Sequence, residues 1–173
     1  MKKFHFTLLS MLFFSVSSFA QSSQMKTLTV QGFTIDYPFD WIPDTSGNIG
    51  STFFLSSPLL GQEDTYSENI NLILQPLPNP KMTLDEYVAE SLKQLPFYFA
   101  DYKLISQEEL KKKKNQYHHL EYSGKINGVE LYFKQFIWLK NGKSYQLTFT
   151  GEGSTFSLYQ EISTQIMESL KFN

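Results

Sequence analysis

The stretch from Val129 to Lys140 constrains this chain more than any other. At the two-residue period of a β-strand, its odd positions Val129, Leu131, Phe133, Gln135, Ile137 and Leu139 form an apolar face. Its even positions Glu130, Tyr132, Lys134, Phe136, Trp138 and Lys140 are half aromatic. A strand apolar on both sides is covered on both sides. The expectation is a sheet with a helix covering each face, or with one face carrying an aromatic patch. Asn141-Gly142 follows at once, a type I′ hairpin signal, and Lys143 to Thr150 supplies the returning strand.

Other segments supply further strands. Leu28, Val30, Phe33, Ile35 and Tyr37 alternate on two runs split at Gln31-Gly32, a hairpin pattern. Pro38 to Gly50 is punctuated as loop, Thr52 to Ser56 is a short buried strand, and Asn69 to Gln75 alternates before three prolines. Tyr102 to Ser106 and Tyr117 to Tyr122 add two more, with a charged tract, Gln107 to Asn115, between them and a turn at Gly124–Gly128 after. Thr83 and Glu86 have the spacing of a capping box, and Leu84, Tyr87, Val88, Leu92 and Leu95 form a helical stripe. A helix over 84–95 is predicted, closed by Pro96. Phe156, Tyr159, Ile162, Ile166 and Leu170 predict a second over 154–169, capped by Ser154. The plan is α+β: one twisted, mainly antiparallel sheet with helices on different faces.

The N-terminus has the pattern of an export signal. Lys2 and Lys3 precede an apolar run from Phe6 to Val16, and small residues at Ser18 and Ala20 suit cleavage after Ala20. That run falls short of the roughly 20 residues needed to span a bilayer, and no second stretch approaches that length. The expected organisation is a signal peptide at 1–20, a frayed terminus at 21–25 and one domain at 26–173. The leader holds two of the 15 lysines and none of the 17 acids, so its removal takes the formal charge from −2 to −4. There is no arginine. An acidic surface without guanidinium groups argues against nucleic acid as a partner. The absence of cysteine excludes disulfides, thiolate metal sites and a lipid-bearing N-terminal cysteine.

Several short segments together resemble a known family. Phe33-Thr-Ile-Asp-Tyr-Pro-Phe-Asp-Trp41 is similar to the opening strand and Pro-x-x-Trp turn of PsbP-like and DcrB-like domains. Glu68-Asn-Ile-Asn-Leu72, Met82 to Tyr87, Gly142-x-x-Tyr-x-Leu-Thr-x-Thr-Gly151, Tyr159 and Ser169-Leu-Lys-Phe172 resemble its later elements. The resemblance implies an α/β/α sandwich. It implies no single activity, because its members include an extrinsic photosystem II subunit, a Ran-binding import factor, envelope lipoproteins and secretion chaperones. No shared catalytic motif comes with it.

Candidate chemistry is sparse. His118 and His119 are adjacent, so a strand would point them to opposite faces, leaving only His119 to meet Glu121. Two such ligands fall short of the four of a structural zinc site. Glu63, Asp64 and Glu68 would suit calcium in an exported setting but match no calcium loop, and a solvated loop explains them better. Asp36 and Asp40 flank a turn. Gly151-Glu-Gly-Ser154 precedes a helix, but Glu152 would repel phosphate. Lys111 to Lys114 suits a solvated strand end. No hydrolase elbow, zincin, Walker or dinucleotide motif is present. No catalytic residue, metal or cofactor is therefore expected. The expectation is an exported, non-enzymatic binding or accessory protein whose partner is another protein or an envelope component. Tyr132, Phe136 and Trp138 are its candidate contact residues if they are exposed, and core if the second helix covers them. The alternatives are a hydrolase or lyase acting on polysaccharide, which needs two convergent carboxylates, and a carrier of a small apolar ligand.

Overall fold

A computed structural model describes residues 24–112 and 115–173. The leader, residues 21–23 and the pair Lys113-Lys114 lie outside the described residues. Strands β1 (Met25–Val30) and β2 (Phe33–Pro38) form the expected hairpin, with positive φ at both Gln31 and Gly32. The N-terminal expectation needs correction at its inner end. Met25 already pairs with Pro38, and the Gln24 carbonyl accepts from the Phe39 amide at 2.8 Å. A third short strand, β3 (Ile42–Asp44), lies in the stretch expected to be loop. It sits at a sheet edge, where Pro43 leaves no interior ladder bond unmade.

The strands that follow are β4 (Ser51–Ser56), β5 (Asn69–Pro76), β6 (Ala100–Lys112), β7 (Asn115–Ile126), β8 (Val129–Lys140) and β9 (Lys143–Glu152). With β3 they form the seven-stranded main sheet in the order β3-β4-β5-β9-β8-β7-β6, all antiparallel. Strands β6 to β9 form a meander that returns β9 to the side of β5. Gln107 to Lys112 of the charged tract are thus part of a long edge strand paired with β7. Not all strands join one sheet, as had been expected. β1, β2 and a terminal β10 (Lys171–Phe172) make a separate three-stranded sheet.

Helix α1 (Leu84–Tyr98) begins with the predicted box: Thr83 Oγ1 accepts from the Glu86 amide, and Glu86 Oε2 accepts from the Thr83 amide at 2.8 Å. It does not stop at Pro96. A proline in the last turn forfeits one backbone bond, and the Phe99 amide still closes the helix on the Leu95 carbonyl at 3.3 Å. Helix α2 (Phe156–Glu168) is capped by position, at Thr155 and not Ser154, with no side-chain bond to its own first turn.

The two helices take opposite faces. Val88 of α1 packs with Leu120, Tyr122, Leu131, Phe133 and Ile137. On the other face α2 and the small sheet cover Phe53, Leu72, Phe136, Trp138, Leu147 and Phe149. This is the α/β/α layering that the two-sided β8 demanded.

Gly124 belongs to β7 and not to a turn. A Cβ there would lie 2.5 Å from the Cβ of Phe99, the residue that leads α1 into β6. Gly124→Ala should therefore cost about 1–3 kcal/mol by overpacking. Urea unfolding would measure it, and an unchanged midpoint would show that the junction yields freely.

Candidate functional site

Glu68, placed by sequence in a solvated acidic loop, is fully buried at the start of β5. Its carboxylate accepts from Ser57 Oγ at 3.3 Å and from Thr155 Oγ1, the residue preceding α2. Its carbonyl accepts from the Ser57 amide at 2.8 Å. Glu68 thus ties the Ser57–Ser67 loop to the start of α2, close to the positive end of the helix dipole. Gly151 makes room for it, since a Cβ there would meet Glu68 Cγ, Phe149 and Phe156 at 3.2–3.3 Å. Asp64 turns the other way and accepts from the Leu60 and Tyr66 amides at 2.7 and 3.1 Å. The acids of this loop are therefore separated by their own backbone and hydroxyl bonds. Among the described residues no group of three or more acids and histidines is arranged to hold a metal ion. Asp36 is likewise spent within its hairpin, accepting from Thr27 Oγ1 at 2.6 Å, while Asp40 lies exposed beyond it.

The face beneath α2 carries the candidate aromatics. Phe136 and Trp138 are buried at 4% and 9% exposure, and Tyr132 is half-buried with its ring stacked on Phe156 of α2. Tyr117 lies against both Phe136 and Trp138, and Phe172 of β10 packs edge-on to Trp138. The exposed-patch version of these three residues is thereby corrected. The second layer claims them because an uncovered aromatic face costs more than the small sheet needs to close it.

Lys134 shares that face and was missed as a feature, although a charge between two aromatics at strand spacing was the available signal. It is 5% exposed, and its Nζ donates to the Gln160 carbonyl at 3.2 Å and to Thr164 Oγ1 at 2.6 Å, both on α2. Burial holds its ammonium below the usual lysine value, against the opposing pull of Glu121 and Glu168. Next to it on β7, His119 lies between two carboxylates: Nδ1 is within hydrogen-bond reach of Glu108 at 3.1 Å, and Nε2 is 3.3 Å from Glu121 without hydrogen-bond geometry. The predicted pairing of His119 with Glu121 on one face is present. His118 points to the opposite face as expected, and its Nδ1 is buried without a hydrogen-bond partner.

His118 lines a groove of about 380 Å³ between α1 and the β6–β7 ladder. Val88, Ala89 and Leu92 form its helical wall, with Asp85 one turn earlier, and Gln107, Glu108 and Glu109 line the strand side. Sequence reasoning had no route to this groove, because it exists only where α1 crosses two strands remote from it in the chain.

An antiparallel sheet with a crossover helix on one face, and a helix plus small sheet on the other, defines an α/β/α sandwich of the α+β class. No family model and no curated protein matches the sequence. Solved structures do match its shape. Cyanobacterial PsbP (CyanoP) from Synechocystis sp. PCC 6803 is similar at TM-score 0.64 and 17% identity, over 87% of this chain and 94% of that one. PA94 of Pseudomonas aeruginosa, a protein of unknown function, gives 0.61 at 14%, over 84% and 94%. LpqN of Mycobacterium tuberculosis, involved in cell envelope biogenesis, gives 0.55 at 16%, over 86% and 90%. The chain has the PsbP-like fold. No helix among the described residues is long and apolar enough to cross a membrane.

Two measurements test the buried polar groups. Glu68→Ala should destabilise by about 3 kcal/mol, since it leaves the buried Ser57 hydroxyl without its carboxylate acceptor and opens space beneath α2, and Glu68→Gln should cost markedly less. Equal losses in urea unfolding would mean that packing, not hydrogen bonding, holds the loop. For Lys134, the lowered value means that the unfolded chain binds more protons than the folded one, up to the ordinary lysine value of about 10.4. Wild type should therefore gain stability relative to Lys134→Met as pH rises from neutral toward that value. Parallel melting curves across that range would contradict the burial argument.

Proposed function

We propose that this chain is an exported, non-enzymatic accessory protein of the bacterial envelope that docks a protein partner where α1 runs into β6. One observation carries the reading. Phe97 and Tyr98, in the last turn of α1, stand 87% and 70% exposed. Ile126 and Val129 flank the β7–β8 turn and are exposed too, and Lys125 beside them pairs with Ala100 at the start of β6. Leu104 and Ile105 continue the apolar character along the free edge. Solvent-facing aromatics in company with aliphatics are the composition of a contact surface, where a few such anchors carry most of the binding energy. The carboxylates of Asp36, Asp64, Glu68 and Glu108, by contrast, are engaged in structural bonds. The leader pattern and the fold shared with an envelope-biogenesis protein, LpqN, support export and an envelope role.

The test is site-specific photocross-linking in intact cells. A cross-linker at Ile105 should give one discrete adduct in the envelope fraction with a chain beginning at Gln21. Phe97→Ser with Tyr98→Ser should abolish that adduct while leaving thermal stability unchanged. An adduct that survives the double substitution in a folded protein would place the contact elsewhere, and an unprocessed cytoplasmic chain would remove the envelope role.

A further inference from the structure

We propose that the half of the α1 face left beside the helix, over β4, β5 and β9, binds a neutral oligosaccharide. This face is separate from the exposed corner at Phe97 and Tyr98. Helix α1 packs on β6, β7 and β8, so strand side chains floor the rest of the face. Ile70 and Leu72 turn toward α2, and alternation puts Asn71 between them on the α1 side. The register then sets one row across four strands: Phe54 opposite Asn71, Asn71 opposite Thr148, and Thr148 opposite Gln135. Three strand spacings make that row about 14 Å long, which suits a chain of sugar rings better than a single ring.

Asn71 is the unsatisfied member of the row. It is 9% exposed, and its Oδ1 is buried without a hydrogen-bond partner. Its neighbours are held in place: Gln135 Nε2 donates to Thr148 Oγ1 at 2.9 Å, and Gln146 Nε2 donates to the Tyr87 hydroxyl at 3.0 Å. A buried amide oxygen left unmatched costs stability and calls for a donor. The last torsion of asparagine is broad, so the amide can turn to meet an arriving hydroxyl.

The chemistry of the row selects the ligand. Amides and hydroxyls both donate and accept, as the hydroxyls of a sugar do. Strands β4 and β5 contain no charged residue, and β9 has only Lys143 and Glu152, at its ends. Asp44, opposite Phe54 on β3, accepts from the Ser46 amide at 2.7 Å. A charged ligand would therefore find no countercharge along the row. Phe54 at one end and Tyr87 beside Gln146 are half-buried and supply aromatic surface for the apolar faces of the rings.

The experiment follows the side-chain amide NMR signals of Asn71, Gln135 and Gln146 in the purified chain. Cellotetraose or chitotetraose should shift them saturably, while Gln94, exposed on α1, stays still. Tetragalacturonate, of similar shape but anionic, should not bind. Asn71→Leu should weaken the saccharide about tenfold and keep or raise the melting temperature, because it removes an unpaired buried amide. Phe54→Leu should weaken it about fivefold in a folded protein. No saturable shift with either neutral saccharide at millimolar concentration, or an equal response to tetragalacturonate, would overturn the assignment. So would an Asn71→Leu variant that is less stable yet binds unchanged, which would make Asn71 a structural group. Shifts produced by tetra-asparagine and not by the saccharides would overturn it too, marking a polypeptide contact.

Discussion

The ladder between β8 and β9 is the constraint on which the other layers depend. Both strands lie inside the sheet; the alternating side chains of β8 enter two separate cores, and β9 adds Tyr145, Leu147 and Phe149 to the one beneath α2. Trp138 faces Tyr145 and Phe136 faces Leu147 across the ladder on the α2 side. On the α1 side the same strand presents Leu131, Phe133 and Ile137. Neither side can be left to water, because each carries several large apolar groups worth roughly 1.5–3 kcal/mol apiece on burial. A single helix cannot cover seven strands. The α2 face therefore recruits the β1–β2 hairpin and the chain terminus as a second sheet, and Phe172 closes against Phe33, Trp138 and Tyr145.

The two cores handle polar groups differently. Beneath α2, Lys134 is bonded to the helix itself, and Glu68 is bonded to the residue that starts it. These groups fix where the helix sits, because an unpaired buried charge would cost far more than a paired one. Beneath α1, Gln135 donates to Thr148 Oγ1 at 2.9 Å and Gln146 donates to the Tyr87 hydroxyl at 3.0 Å. Only the latter bond reaches the helix. The α1 layer is thus held mainly by apolar contact, and a groove lies at its outer side.

Much of this was legible in the sequence because it was written at short range. The period of β8, the Asn141-Gly142 turn and the Thr83–Glu86 box each specify local geometry through neighbouring residues. The resemblance carried by Phe33 to Trp41 and by the closing hairpin indicated the layering. Errors arose where the deciding partner was distant. Glu68 looked solvated because its hydroxyl partners, Ser57 and Thr155, lie 11 and 87 residues away. Pro96 looked like a stop because nothing local shows that a last-turn proline loses a single bond. The division into two sheets depended on β10, two residues at the far end of the chain that pair with β2.

The free edge then decides how a partner can approach. Among the described residues β6 pairs only with β7, so its outer backbone groups would serve as a template for an added strand. Its first half is unsuited to that use. Register shifts interrupt the ladder between Ala100 and Lys103 and again between Leu104 and Ser106, and Asp101 has φ of 53°. Asp101 is held there by Lys125 at 2.8 Å, whose ammonium keeps its carboxyl below the ordinary range. Further along, Glu108 and Glu109 place like charges on successive positions of the edge. Bulges and charge of this kind are how edge strands resist pairing. The apolar groups at Leu104 and Ile105 therefore sit where the backbone is least able to add a strand. Contact at this corner must be made by side chains packing around Phe97 and Tyr98, not by extension of the sheet.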